Sequence, residues 1–586
     1  MSSILDTDTI LAVDVGSVST RASLFDVVDG HFRLIASGRA PSTVKAPLFD
    51  ISEGVRMALD QVKAVTGRKL LDETDLLIMP VTSGGSGVDT FVATASAGPK
   101  VRTVLVGLMP GVSTDSALRL AESTYLDLVG VIDLLDTRRE SEKIDLILSA
   151  RPDLILVVGG TDGGAQDSVL QLIELVAVAS ELFSPNQRPR IVYAGNRNLG
   201  AAIADRVGER LDIALAPNVR PSLRVEDLGH ARLALGEAIA EARNKRVHGF
   251  DELEQWSGGT MMLTADAYGR VIRYLSRIYD PAKGVLGVDV GATNTMIAAA
   301  FEGDLRLSVE TDLGLGEPLP TLLRHSSLSN IARWLPSETS ERTILDYIYN
   351  KSINPATVPA EEEDLLLELA LAREILRLSL KRARKRWPKD RDLKSTWLMP
   401  SVEPIIASGS VLARVPRPGY AALALLDAIQ PTGITTFVLD PHGLSPSLGA
   451  ASGSVPMLTV HVLESGSFVS LGTVVSPVGN ARMGRKVLSL HLELEKSSED
   501  VVGEVRMGQL AVVPIRQGEH AHLTLRPERG IDVGFGGPGK AGALRIAGGA
   551  VGLIIDARGR PLVLAKDPGR RREMNKKWLF DIGAVV

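Results

Sequence analysis

The chain contains no cysteine. That excludes disulfides, cysteine nucleophiles, zinc–thiolate centres and iron–sulfur clusters held by its own ligands. Aromatic residues are scarce, at 4%. Cores must then be filled by Val, Leu, Ile and Ala, which suit layers of helix on sheet. Neither sign of charge is in large excess. The 65 Lys and Arg face 70 Asp and Glu, for a formal net charge of −5, so there is no general pull toward nucleic acid or an anionic membrane. Every apolar run is broken by a charge or a glycine before the roughly 18 residues that a membrane helix needs. The first nine residues carry two aspartates and no basic segment, which does not fit a signal peptide. These absences predict a cytoplasmic protein without a membrane span. With 586 residues, the chain is too long for one core and is expected to form two to four domains.

What the chain does have is a repeated turn. Ile10-Leu11-Ala12-Val13-Asp14-Val15-Gly16-Ser17-Val18-Ser19-Thr20 returns, altered, as Val285-Leu286-Gly287-Val288-Asp289-Val290-Gly291-Ala292-Thr293-Asn294-Thr295. Each copy is an apolar strand, then Asp-Val-Gly, then a short polar turn closing on Thr. Small residues at a strand end let several backbone N–H groups converge on one anion. The hydroxyls of Ser17, Ser19, Thr20, Thr293 and Thr295, with Asn294 beside them, add polar groups for a phosphate chain around Gly16 and Gly291. The carboxylates of Asp14 and Asp289 suit Mg²⁺, which prefers oxygen ligands and keeps several waters. One Asp-Val-Gly is merely a strand end. Two with equal Asp-to-Thr spacing, each opening a strand-rich half, predict two similar lobes gripping one ligand.

The pattern along the chain supports that division. Strands are expected at Leu76–Val81 and Val101–Leu108 and a helix at Ser113–Leu128, because the apolar spacing changes from short runs to a helical period. The strand Asp153–Val158 runs into Gly159-Gly160-Thr161-Asp162-Gly163-Gly164, followed by a helix over about 166–182. Asp162 has two open readings: a base or metal-associated carboxylate, or the cap of the following helix. Pro404–Ala407 is another strand, meeting Ser408-Gly409-Ser410 before a helix. The expected organisation is a first lobe over 1–205, a helical connector over 206–284, a second lobe over 285–453 with a helical insert at about 320–400, and a β-rich module over 454–586. The last follows from period-two alternation in Val487–Leu494 and Ala521–Leu525.

The two hairpins and the Ile405–Val411 segment resemble the actin, sugar kinase and heat-shock chaperone superfamily. That resemblance implies an α/β fold of two RNase H-like lobes with ATP and Mg²⁺ between them, and adenosine contacts from Ser408, Gly409 and Ser410. Pro41-Ser42-Thr43-Val44, Thr82-Ser83-Gly84-Gly85, the Gly159–Gly164 loop and Tyr193-Ala194-Gly195-Asn196 follow the first hairpin in an order that resembles the glutamate mutase L (MutL) family over about residues 9–450. Ser83-Gly84-Gly85 is shorter than the Ser-Ala-Ala-Gly-Gly usual there. The resemblance implies an ATP-binding or ATP-hydrolysing accessory factor for an adenosylcobalamin-dependent mutase. The expected site has Asp14, Asp162 and Asp289 as catalytic residues, Asp14 and Asp289 at the metal, and Gly159, Gly160, Thr161 and Gly163 at the nucleotide. A small-molecule kinase of the same fold and a non-catalytic nucleotide-binding scaffold, with homo-oligomers possible, are the alternatives.

Other signals are set aside. Gly534–Ala541 nearly fits a phosphate-binding P-loop, but Ala541 replaces the needed hydroxyl and no helix follows. The basic run Lys381–Arg386 reads as a solvated helix end. His520 and His522 share a strand face without a third ligand. Asp440-Pro441-His442 has Ser445 where a cobalamin-binding signature needs Gly.

Overall fold

The computed structural model describes residues 8–208, 210–387, 398–495 and 500–585; the first seven residues, part of the segment read as lacking a signal peptide, lie outside them. The apolar run at the start of the first hairpin becomes the central strand Thr9–Val15, in which all seven residues are buried. Its turn sends the chain back antiparallel as Ser19–Val28, and His31–Pro41 follows at the edge. Thr90–Ala95 lies parallel on the other side, and Met262–Leu263 completes the sheet. Numbered within this lobe, the spatial order is third, second, first, fourth, fifth, with the second strand reversed.

The second hairpin builds the same arrangement. Asp304–Glu310, Thr295–Phe301, Gly284–Val290, Val402–Ser408 and Gly433–Leu439 lie side by side in that order. Thr295–Phe301 is antiparallel to the central strand, and Val402–Ser408 parallel to it. Two sheets with one RNase H-like strand order, each headed by one copy of the repeat, define the actin-like ATPase fold.

The stretch 1–205 is divided between two sheets. Between the fourth and fifth strands of the first lobe the chain forms a separate, all-parallel sheet. Its order is Leu126–Ile132, Val101–Val106, Leu154–Val157, Arg190–Tyr193 and Ile213–Leu215. Leu154 and Leu156 face one core, and Ile155 and Val157 the opposite one. Burial on both faces explains why this strand is continuously apolar. The helix expected over 113–128 stops at Glu122, and Leu126–Ile132 is a strand. Leu76–Val81 is not a strand: Leu76 and Met79 are exposed and no sheet neighbour pairs with the segment beyond one bridge to Leu71. Thr90–Ala95, with no such reading from the sequence, takes the place beside the central strand.

The C-terminal antiparallel sheet is present, in the order Asp500–Arg506, Lys486–Leu494, His520–Pro527 and Gly542–Ala547. The region after Gly453 is not wholly β and not detached. Val469–Ser476 pairs with Gly433–Leu439 and carries the second lobe's sheet onward to Leu553–Asp556 and Leu510–Val513. Helix Pro568–Asp581 returns to place Trp578 and Leu579 in the second lobe's core. In the insert, helix Glu362–Ala383 has fifteen buried residues, eleven of them in that core, so most of it is core and not a free face. Among the described residues no helix is long and apolar enough to cross a membrane.

Candidate functional site between two hairpins

Both turns close in the same way. The Gly16 amide donates to the Ser19 carbonyl at 3.1 Å, and the Gly291 amide donates to the Asn294 carbonyl at 3.0 Å. Val15 pairs with Thr20 and Val290 with Thr295. A Cβ at either glycine would lie 2.8 Å from that same carbonyl oxygen, closer than side-chain carbon can approach, so the turn requires Gly in both copies. The tips meet: Ser17 Oγ and Thr293 Oγ1 share a hydrogen bond of 2.6 Å. Around them lies a cleft of ≈ 410 Å³, walled by both lobes.

Asp14 and Asp289 both line this cleft. Asp14 is buried, and its Oδ1 accepts from Thr94 Oγ1 at 2.7 Å and Thr264 Oγ1 at 2.9 Å. Its carboxylate plane is thereby fixed from two elements. Enclosure between the lobes pushes the Asp289 carboxyl up to about 6, with the charges of Asp14 and Asp440 adding to the effect; Arg21 and a hydrogen bond with Ser408 oppose it. Two neighbouring carboxylates in low dielectric repel each other and resist ionisation. The same wall carries Arg21, Arg39 and Arg414, none of which forms an ion pair among the described residues. Unpaired guanidinium groups beside hydroxyls and turn amides make a site for a chain of anionic oxygens.

The third wall is Ser408, Gly409 and Ser410. Gly409 has φ of +99°, and a Cβ there would stand 2.3 Å from the Val290 carbonyl oxygen. Glycine alone lets this strand-to-helix turn abut the end of the second hairpin's first strand. The helical insert supplies a fourth wall through Lys351, 355–359 and Glu368. Lys351 Nζ is anchored by Glu368 at 3.0 Å and donates to the Thr357 carbonyl at 2.5 Å.

Several residues named from the sequence are elsewhere. Thr20 and Thr295 are wholly buried and do not line the cleft. Strand alternation is the reason: Ser19 and Arg21 face the cleft, and Thr20 between them turns inward, near Gly54. Gly159, Gly160, Thr161, Asp162 and Gly163 do not line it either. They belong to the inserted parallel sheet. There Asp162 Oδ1 accepts from Asn218 Nδ2 at 2.9 Å and the Arg197 amide at 3.1 Å, and Arg197 Nε lies 3.1 Å from Oδ2. Asp162 therefore ties together the loops after three parallel strands. It does not cap the helix Asp167–Glu181. Residues that sequence reasoning missed include Arg21, Arg39, Ser96, Thr264, Tyr268 and Arg414. For Arg21 the signal was available in the alternation of the return strand; the others come from distant elements and carry no local mark.

The discounted motifs resolve differently. Gly534–Ala541 is followed by the strand Gly542–Ala547. Asp440 binds the turn beyond it, accepting from the Leu444 and Ser445 amides at 2.8 Å each. The basic run is only in part a solvated helix end: Lys381 and Lys385 are exposed, but the arginines are not. Arg382 pairs with Glu310 and Asp312 at 2.6 and 2.7 Å, Arg386 pairs with Glu122, and both cations are partly buried. His522 faces Glu495 at 3.6 Å.

The fold and the doubled hairpin define a member of the actin-like ATPase superfamily. The sequence pattern of the family described as MutL protein matches residues 10–466, and the chain belongs to that family. Protein MutL of Clostridium tetanomorphum is 23% identical over 401 residues, spanning 64% of this chain and 78% of that protein. Among solved structures, a diol dehydratase-reactivating factor in nucleotide-free form aligns at 12% identity and TM-score 0.29, covering 78% of this chain and 100% of the other. The xylulose kinase of Bifidobacterium adolescentis aligns at 11% identity and TM-score 0.29, covering 80% and 96%. Likenesses this loose say nothing of function; the chain's own strand order carries its fold.

Proposed function

We propose that the cleft binds ATP with Mg²⁺ and that the protein is an ATP-hydrolysing factor acting on an adenosylcobalamin-dependent mutase, as reactivase or chaperone. The observation that carries the nucleotide reading is the meeting of two equivalent hairpins across one cleft, joined at Ser17 and Thr293. The two turns take phosphate oxygens from opposite sides, the Gly16 and Gly291 amides holding each turn closed while Ser17, Ser19, Thr293 and Asn294 supply side-chain contacts. Arg21, Arg39 and Arg414 match the remaining negative charge. Ser408–Ser410 face the nucleoside end.

The paired carboxylates fit a divalent cation. The charge of Asp14 adds to the cost of ionising Asp289, and a cation between them would offset that repulsion. Mg²⁺ would be held through these two side chains and would neutralise phosphate charge as it moves to the leaving group. Asp14, with one oxygen fixed by Thr94 and Thr264, orients the attacking water and receives its proton. The mutase assignment rests on family membership.

The test is ATP turnover by the purified full chain, alone, with a panel of small acceptors, and with an inactivated mutase. Turnover stimulated by the inactivated mutase is expected. Turnover that requires a metabolite would make the protein a kinase, tight binding without turnover would make it a scaffold, and no nucleotide binding would sink the cleft reading. Asp14→Asn should lower turnover by at least about tenfold, whereas Asp162→Ala, remote from the cleft walls, should leave it unchanged.

A further inference from the structure

A second cavity, of ≈ 480 Å³, lies against the same two hairpin tips: Ser17, Ser96, Thr293 and Asn294 line both it and the nucleotide cleft. Its wall includes Arg243, from helix Gly229–Asn244. Arg243 is 3% exposed, yet no carboxylate pairs with it among the described residues, and its buried Nε has no hydrogen-bond partner. The ring of Tyr125 lies with its centre 5.0 Å from the guanidinium carbon. The backbone makes room for it. Gly98 has φ of +115°, and a Cβ there would lie 2.8 Å from Arg243 Cδ. Burial without a counter-charge pulls the guanidinium down to about 10.

A buried, unpaired cation is strongly unfavourable unless something completes it. The other charges of the cavity do not. Arg246 is already paired with Asp153, and Lys45 holds Glu317 at 2.6 Å across the two lobes. Lys100 adds another cation to the lining. The wall thus carries a surplus of positive charge beside two hairpin hydroxyls.

We infer that this cavity is a binding site for a small oxyanion, with the Arg243 guanidinium as its principal ligand and Lys100 at its margin. The chemistry is shared by inorganic phosphate and by the carboxylate of a small organic acid. Planar guanidinium binds either in the same two-pronged manner. The site is additional to the nucleotide cleft and does not depend on ATP being the ligand there.

The experiment is calorimetric titration of the full chain with inorganic phosphate in one arm and with acetate or succinate in the other. The cleft is first saturated with a non-hydrolysable ATP analogue, so that the hairpins are occupied. The expected result is binding of one of the two anion types by the wild type, at least tenfold weaker in Arg243→Met, with analogue affinity unchanged. Arg243→Lys should bind at an intermediate strength. Phosphate as the ligand identifies a product or phosphate-donor site; carboxylate alone identifies an organic acid. A second readout needs no variant: the bound anion should raise the wild-type Tm above that in equal chloride. Absence of both heat and Tm shift with either anion, or equal binding by Arg243→Met, overturns the inference. Failure of the analogue to bind overturns the nucleotide reading instead, and the comparison of wild type with Arg243→Met still decides the anion site.

Discussion

Asp289 stands at the end of the strand Gly284–Val290, where enclosure and the neighbouring Asp14 push its carboxyl up to about 6 from 3.8. In the free protein without metal, the native state therefore keeps this proton to a higher pH than the unfolded chain does. Between about pH 4 and 6 the native state binds more protons, so stability falls as pH rises through that window, and the loss is complete above it. Asn at the same place has no charge to bury. Asp289→Asn is expected to raise the stability of the metal-free protein at pH 8 by ~1–3 kcal/mol, with the advantage vanishing near pH 4. Thermal unfolding of both proteins across that range checks it, and an advantage independent of pH would contradict the assignment. If the cleft binds Mg·nucleotide as proposed, the same variant should lose that binding, because the group that destabilises the metal-free cleft would also be a ligand of the cation. Asp14 and Asp289 stood out in the sequence because a repeat marked them. Arg21 was concealed only by the larger signal beside it, and Arg243 had no local signal at all. Its meaning comes from missing partners, which a sequence does not display.

The two hairpins sit beside helices that pack against each other between the lobes. Helix Thr264–Ile278 follows the last strand of the first lobe and helix Ser445–Ala451 follows the fifth strand of the second lobe. They pass so closely that a Cβ on Gly449 would lie 1.8 Å from the Ala267 carbonyl oxygen. Backbone cannot yield as a side-chain end does. Gly449→Ala should therefore destabilise the protein by ~1–3 kcal/mol, measurable as a lower denaturant midpoint. An unchanged midpoint would mean that the helices separate easily. The variant should also weaken nucleotide binding, since Thr264, the first residue of that helix, holds Asp14. At this scale the sequence was readable where one element carried one period. It misled where strand and helix adjoined without a break, as in the passage from Glu122 to Leu126. It also misled where an apolar run such as Leu76–Val81 had no neighbour to pair with, because a strand exists only by its partners.

The C-terminal region is welded to the second lobe by a buried ionic chain. Arg373 of the insert donates to Asp427 at 2.9 Å, and Arg558 bridges Asp427 and Asp556 at 2.8 Å each. Arg560 donates to Asp556 at 2.8 Å. The two guanidinium groups hold the Asp556 carboxyl far below the usual carboxylate range although burial opposes them. Arg558 also lies over Trp578, 4.6 Å from the ring centre, which fastens the final helix. Removing the Asp556 charge leaves Arg560 buried without a counter-charge and Arg558 with Asp427 alone. Asp556→Asn is expected to cost about 3–5 kcal/mol and to loosen both the insert and the C-terminal helix, which hydrogen exchange would report together. Exchange confined to the C-terminal strands would show that the chain of charges is not cooperative.

The repeat, the lack of cysteine and the apolar periods were enough to specify two related α/β lobes and to mark Asp14 and Asp289, because those features rest on local spacing. Tertiary structure alone decided that residues 101–215 form their own sheet, that Asp162 serves that sheet and not the cleft, and that the last strands extend the second lobe. It also decided that Arg382 and Arg386 of the basic run are paired with acidic residues of other elements. Each of these depends on which segments, far apart in the chain, share hydrogen bonds or exclude water from one another. Local spacing carries no information about that until the chain has folded.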